Sequence, residues 1–513
     1  MLDLDTYNFV GPPDPIQVRI AGSGTEWING GLLQIGASHV LANIELGVSE
    51  GAHLESHGVW AASRNVGPEI TVEGLGSFWN NTGELRLDDD ASFTLRGGAA
   101  ATDGGVNIRG DYGLSHAIVE GAGSLWRTGP LEISSFAYLN NVGFLIQDGG
   151  RVESTSATLT TQTTQDAIVR GAGSAWIVSG RLTAMGDGNG GSSYVQVEQG
   201  GLLETGETQI GLDAPGSASV SVIGTGATFR NAGELLVAGG YSAGASFGVL
   251  GGAQATTKTM RVGCGDRGGS CEVGVSGAGS LLTVVEDAFF SSDPSNPDGK
   301  ATWTVGAGGR VEIGQTFSVV DNARVSLADG TVSAAQLALQ GGALTGDGLV
   351  QSIVKNAGLV APGASIGHLT VDGSYTQDPD GALSIMLGGL APGVSHDILE
   401  VLGASALGGT LRVELANGYL PNLGDSFQIL SAASVSGTFD HYEGLELSPN
   451  LSLMVNYLPA GVRLVTVPVP EPGTAMLVSI GLAAAAALRR RPSRANLRRV
   501  PPRSVRRETP SRG

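Results

Sequence analysis

The sequence predicts an all-β chain: a right-handed parallel β-helix, or β-solenoid, followed by a C-terminal β-rich cap and a short C-terminal transmembrane helix. Three observations lead there. The first is a repeat. Versions of Gly-x-Gly-Ser-x-Trp begin at Gly22 (GSGTEW), Gly74 (GLGSFW), Gly121 (GAGSLW), Gly171 (GAGSAW), Gly224 (GTGATF) and Gly277 (GAGSLL), at intervals of 52, 47, 50, 53 and 53 residues. A near-constant period of this size marks a repeat architecture. The second is a looser phrase half a period later, as in SEGAHLES from Ser49, QDGGRVES from Gln147, EQGGLLET from Glu198 and GAGGRVEI from Gly306. It divides each unit into halves of about 25 residues, the length of one solenoid coil. The third is alternation. Val195 and Val197 fall on one face of a strand, Gln196 and Glu198 on the other, the period-two pattern of a half-buried strand.

In such a fold, coils stack at roughly 4.8 Å and inward Val, Leu and Ile form continuous columns. The paired glycines between strands supply positions with φ > 0 where the chain turns. The aromatic residues of the motif, Trp27, Trp79, Trp126, Trp176 and Phe229, are expected to stack on their counterparts along one edge as corner packing, not as a ligand platform.

The chain divides into an unstructured N-terminus (1–15), a solenoid of six units (16–340), a second β region (341–467), a short signal-like segment (468–491) and a basic disordered tail (492–513). Residues 16–339 correspond to some 13 coils, or roughly 60 Å of stack. The N-terminal MLDLDTYNFVGPPDP has neither a positive n-region nor an apolar h-region, so the expectation is that the natural chain begins upstream with a signal peptide.

Gly is 82 of 513 residues, but it accompanies 41% hydrophobic residues and a period, which favours a solenoid over a disordered low-complexity chain. Charge is uneven. Residues 489–513 carry ten Arg and one Glu, leaving 19 basic and 47 acidic side chains before them, a net of −28. Such a body repels nucleic acid and favours cationic partners. The two cysteines, Cys264 and Cys271 in CGDRGGSC, lack a nearby His pair, so they read as a local disulfide of an exported protein rather than a zinc site.

Candidate chemistry is sparse. Asp88, Asp89 and Asp90 read as a solvated acidic turn. His53, Glu55 and His57 would share one strand face, where two imidazoles and a carboxylate are chemically adequate for a metal, yet nothing supplies a fourth ligand or second shell, so no metal is expected. The threonines of TLTTQTT (158–164) and TTKT (256–259) do not recur at the repeat period, as an ice-binding array requires. Polysaccharide-cleaving β-helices need clustered carboxylates, and lyases a basic residue beside them. The three lysines and the spread of carboxylates argue against an enzyme, and no cofactor is expected.

The units with V-x-G-x-G-S-x-W resemble the repeat shared by type V-secreted (autotransporter) passengers and PEP-CTERM proteins of Gram-negative bacteria. GLVAPGASIGHLTVDGSYTQ (358–377) and GDSFQIL (424–430) are similar to the end of autotransporter passengers, although no strands of a C-terminal outer-membrane barrel follow. A closing region is physically needed, because an open solenoid end exposes apolar columns and unpaired strand edges.

Next comes VPVPEPGTAMLVSIGLAAAAALRRR (467–491), which resembles the PEP-CTERM sorting signal, a region also named ice-binding protein C-terminal domain. Pro470, Glu471, Pro472 and Gly473 match its motif, the apolar run 475–488 its helix, and Arg489, Arg490 and Arg491 its basic stop cluster. On physical grounds, Pro470 and Pro472 hold an extended segment that a peptidase cleft accepts. The 14-residue apolar run is shorter than the ~20 residues of a stable span, so it would hold the inner membrane marginally with the arginines on the cytoplasmic side.

The resemblance implies an exosortase as processing partner. It also implies a protein of the cell envelope, anchored before processing and then at the cell surface or extracellular. The expected role is structural or adhesive, with exopolysaccharide or other surface proteins as partners. The alternatives are a polysaccharide-active or polysaccharide-binding β-helix and an ice-binding protein.

Overall fold

The computed structural model describes residues 2–4, 16–36, 44–63, 67–110, 115–135, 143–161, 167–186, 190–211, 216–239, 244–264, 269–292 and 300–469. They form a parallel β-solenoid. Strand His116–Glu120 lies between Ser92–Arg96 and Phe144–Gln147, and strand Leu125–Ser135 lies between Ala100–Gly110 and Arg151–Thr161, all in parallel register. A coil is thus a short strand, a tight turn and a long strand bent near its middle. The turn is the Gly-x-Gly of the repeat. Gly121 and Gly123 both sit at φ +86°, a region that side chains with a Cβ avoid.

The serine after those glycines closes the turn of the neighbouring coil. The Oγ atoms of Ser77, Ser124 and Ser174 accept the amides of Gly51, Gly98 and Gly149, each at 3.0 Å, and that of Ser280 accepts Gly252 at 2.9 Å. The hydroxyl stitches one coil to the next where no strand pairing can do so. Replacing Ser124 by Ala should lower stability by about 1 kcal/mol, with faster hydrogen exchange at Gly98 as the local readout.

The core is two aromatic columns out of phase. In register along one column stand Trp79, Ala101, Trp126, Val152, Trp176, Leu203 and Phe229; along the other stand Ile70, Phe93, Ala117, Phe144 and Ala167. From Trp79 to Trp176 each coil holds one large ring, set beside Ile70, Ala101, Ala117, Val152 or Ala167, whereas the Leu203 coil, with Val195, holds none in these columns. Phe93 lies 5.7 Å from Trp79 and 4.6 Å from Trp126, and Phe144 lies 6.2 Å from Trp126 and 5.0 Å from Trp176. This corrects the expectation of motif aromatics stacked along an edge. Trp79, Trp126, Trp176 and Phe229 are fully buried, and Trp27 is half-buried near the N-terminal end, where Leu2–Leu4, expected to be unstructured, forms a strand paired in parallel with Leu33–Ile35. Successive motif tryptophans are two coils, roughly 9.6 Å, apart, too far to touch, and the Phe of the intervening coil fills the gap.

The change of text at residue 341 is not a change of fold. Strand Arg324–Pro362 runs through it, and parallel pairing continues as far as Thr410–Leu415 against His441–Glu443. Apart from the isolated bridges Gly346–Gly363 and Leu387–His396, antiparallel pairing among the described residues enters with Glu446–Ser448 and the closing hairpin Leu451–Leu458 and Gly461–Pro468, which folds onto Ser426–Gly437. Phe427, Ile429 and Leu430 of GDSFQIL are fully buried there. In the 358–377 stretch, the Gly367 amide donates to Asp397 Oδ1 (2.8 Å), and buried Tyr375 donates to Gln377 Oε1 (2.7 Å), whose amide reaches the carbonyls of Gly408 and Thr410. The Gly367–Asp397 bond and the two Gln377 amide bonds are internal clamps between successive coils here some 30 residues apart.

Candidate functional site

Beside the tryptophan column runs a buried polar one: Ser56, Asn81, Asp103, Thr128 and Ser154 occupy successive coils in register. Its members take the indole protons. Trp79 Nε1 donates to Ser56 Oγ at 2.9 Å, Trp176 Nε1 to Ser154 Oγ at 3.2 Å, and Trp126 Nε1 to Asp103 Oδ2. Asn81 Nδ2 donates to the other Asp103 oxygen at 2.8 Å. Where Phe229 replaces Trp there is no indole proton, and Thr205 instead donates to Asn231 Oδ1 at 2.8 Å. The motif's aromatic rings at Trp79, Trp126, Trp176 and Phe229 are thus committed to the interior and are unavailable to a ligand.

Burial pushes the Asp103 carboxyl up to about 7, against the downward pull of its bonds from Trp126 and Asn81. A carboxyl whose folded pKa is raised favours folding while it stays protonated. The stability it confers is therefore full below about pH 4 and is lost as pH rises toward 7, a change on the order of 3–4 kcal/mol. Asp103→Ser, which copies the residue at position 154, should flatten that part of the profile, measured as the difference in Tm between pH 4.5 and 8 against the wild type. The matched comparison is needed because burial likewise raises Asp397 to about 7.

Outside, the solenoid carries a long groove. It has a volume of about 640 Å³ and is lined by Arg19, Glu50, Glu73, Arg96, Glu120 and Asp148, which belong to six successive coils, with Gly74, Gly97 and Gly121 in its floor. Arg19 pairs with Glu50 at 2.6 Å and Arg96 with Glu73 at 2.7 Å, across adjacent coils. A contiguous hollow of about 350 Å³ adds Gln17, Glu45 and Glu69, where Gln17 donates to Glu45 at 2.9 Å. A second groove, of about 560 Å³, contains Asp329, Asp347, His368 and Thr370, with His368 Nε2 2.9 Å from Glu400.

The other candidates resolve individually. Asp88 is buried, accepting from Trp60 Nε1 (3.0 Å) and Arg86 Nε (2.7 Å), so it is not part of a solvated turn. Asp89 and Asp90 make the turn, at φ +45° and +66°. His53 packs edge-on to Phe78 and His57 Nδ1 lies 2.7 Å from Thr82 Oγ1. Among the described residues no three His, Cys, Asp or Glu side chains are grouped to hold a metal ion. Thr158 is flanked in register by Glu132 and Thr183, Thr160 by Ser134 and Met185, and Thr256 by Arg230 and Thr283, so no flat threonine array forms there. Cys264 and Cys271 are joined in a disulfide that links a long strand to the short strand of the next coil.

The closing strand Gly461–Pro468 leads directly into the signal-like segment. Residues 468–491 match the PEP-CTERM protein-sorting motif. The chain carries a PEP-CTERM sorting signal. That signal marks an exported protein sorted to the cell envelope and implies processing by an exosortase. Pro470, Glu471, Pro472, Gly473 and Arg489, Arg490 and Arg491 of the PEP-CTERM signal lie outside the described residues, as does the apolar run 475–488. Among the described residues, no helix is long and apolar enough to cross a membrane. Among solved structures, the chain is similar to a TibC-catalysed hyper-glycosylated TibA55-350 fragment, at 15% identity and a TM-score of 0.30, over 72% of this chain and 95% of that one. No curated protein matches the sequence.

Sequence reasoning missed the phenylalanine column, the buried polar ladder and the grooves. The first had a signal: Phe93 and Phe144 stand in strands offset by one coil from the tryptophans. The grooves had none, because each draws its residues from several coils.

Proposed function

We propose that this protein is a non-enzymatic surface or extracellular-matrix scaffold of adhesion type, held at the inner membrane by its apolar run until processing and then released to the cell surface or matrix. Its partners are exopolysaccharide or other surface proteins. The observation that carries the reading is the axial groove, whose charges are spread over six coils and tied into cross-coil ion pairs. Extended surfaces of this kind suit many weak contacts along a partner, whose sum gives useful strength. Reaction chemistry instead needs a few groups converging on one atom. The disulfide agrees with an oxidising compartment outside the cytosol.

Expression behind a signal sequence in an exosortase-positive host and in its exosortase-deleted twin tests the sorting step. Mass spectrometry of exported material should find the residues after the Pro-Glu-Pro region missing only in the positive host. An intact tail in both would remove processing from the reading. Deleting the gene should reduce matrix retention on the cells; unchanged retention would sink the scaffold role.

A further inference from the structure

We propose that the axial groove binds a linear, non-anionic polysaccharide laid along the solenoid axis. The inference rests on the scaffold reading and assigns its ligand class. Six coils at roughly 4.8 Å spacing make a channel about 24 Å long, the shape of an extended polymer segment rather than of a single sugar.

Along it, donors and acceptors are interspersed: the Arg19 guanidinium, the Glu50 and Glu73 carboxylates, the Arg96 guanidinium, then the Glu120 and Asp148 carboxylates. A sugar hydroxyl both donates and accepts, so each ring meets a complementary group whichever way it faces. The pairs Arg19–Glu50 and Arg96–Glu73 are exposed, with side chains between 44% and 64% accessible, and so they are free to exchange a solvent bond for a ligand bond.

Charge sets the class of polymer. Four carboxylates face two guanidiniums in the groove, and the adjoining hollow adds Glu45 and Glu69. A uronate, sulfated or phosphate polymer would be repelled, whereas neutral and amine-bearing chains would not. The floor favours close approach. Gly97 has φ +65°, and a Cβ there would meet the Gly74 amide nitrogen at 3.2 Å; Gly74, Gly97 and Gly121 thus leave the floor open between Glu50 and Asp148.

No aromatic ring lines the groove. Binding per sugar is therefore weak, and affinity grows with polymer length.

The test uses the whole exported protein with four probes: a cello-oligosaccharide, an N-acetylated chito-oligosaccharide, its deacetylated form and polygalacturonate. The double variant Glu73→Gln/Arg96→Gln removes one groove pair without changing net charge. Arg181→Gln/Glu207→Gln does the same to an exposed 2.7 Å pair on the long-strand sheet.

The expected result is binding to at least one of the first three probes, strengthening with chain length, about tenfold weaker in the groove variant and unchanged in the control. Circular dichroism and Tm confirm that both variants fold. Salt sensitivity separates the amine-bearing from the neutral source.

Equal loss in both variants, binding of polygalacturonate as tight as the others, or no binding to any probe would each overturn the assignment. The last result, with matrix retention still dependent on the gene, would remove the groove while leaving the scaffold role. Loss of that dependence would remove the role itself.

Discussion

Excising residues 121–170 from the solenoid should leave a shorter, folded protein, whereas excising residues 97–120 should leave one that does not fold stably. The first cut removes two coils and joins Glu120 to Gly171, so the aromatic column reads Trp79, Ala101, Trp176, Leu203 and the large-small alternation is preserved. The second removes one coil and joins Arg96 to Gly121. Phe93 and Trp126 would then share a coil, and Trp126 would land one coil spacing from Trp79 in the same column. Overpacking of this kind costs about 1–3 kcal/mol for each side chain forced from its rotamer. The rings also could not all be housed without separating the coils that pair their strands. Thermal melts and far-UV circular dichroism of the two deletions decide the matter. Equal stability would mean that the repeat unit is one coil and that the antiphase columns are incidental.

Trp126→Ala should be among the most destabilising single substitutions, by about 3–5 kcal/mol. The indole is fully buried between Phe93 and Phe144, and neither can move into the void without leaving Trp79 or Trp176. The same change strips Asp103 of one of its two side-chain donors. Trp126→Phe separates the two effects, since it keeps most of the volume and loses only the N–H; its loss should be about 1–3 kcal/mol. That part should grow as pH rises through the range where Asp103 ionises, because the missing proton was bonded to the carboxylate. Denaturant melts at pH 5 and 8 read both terms. A Trp126→Phe loss independent of pH would count against the indole–carboxylate bond.

The parallel stack was legible because its causes are local and repeated: period-two burial, paired glycines at corners and a fixed spacing. Gly121 and Gly123 announce their turn by composition alone, and Val195 and Val197 announce their face. What the tryptophans touch was not legible. Trp126 contacts Phe93 and Phe144 from coils below and above, and which residue of a neighbouring coil meets it depends on register between strands some 25 residues apart. The same holds for Ser124, whose partner Gly98 lies 26 residues earlier. Asp88 misled for a related reason. Its sequence neighbours Asp89 and Asp90 suggest solvent, but Trp60, 28 residues away, covers it and donates a proton.

By itself the sequence determined the class of fold, the coil length, the turn positions and the PEP-CTERM signal, all of which are written in contiguous residues. Only the tertiary structure decided that the Trp and Phe columns are out of phase, that a polar ladder takes the indole protons, and that the stack continues past residue 341 to a hairpin. It also decided that charges from six coils share one groove. Each of these depends on inter-coil register, set by the summed fit of side chains across strands rather than by any one stretch of chain.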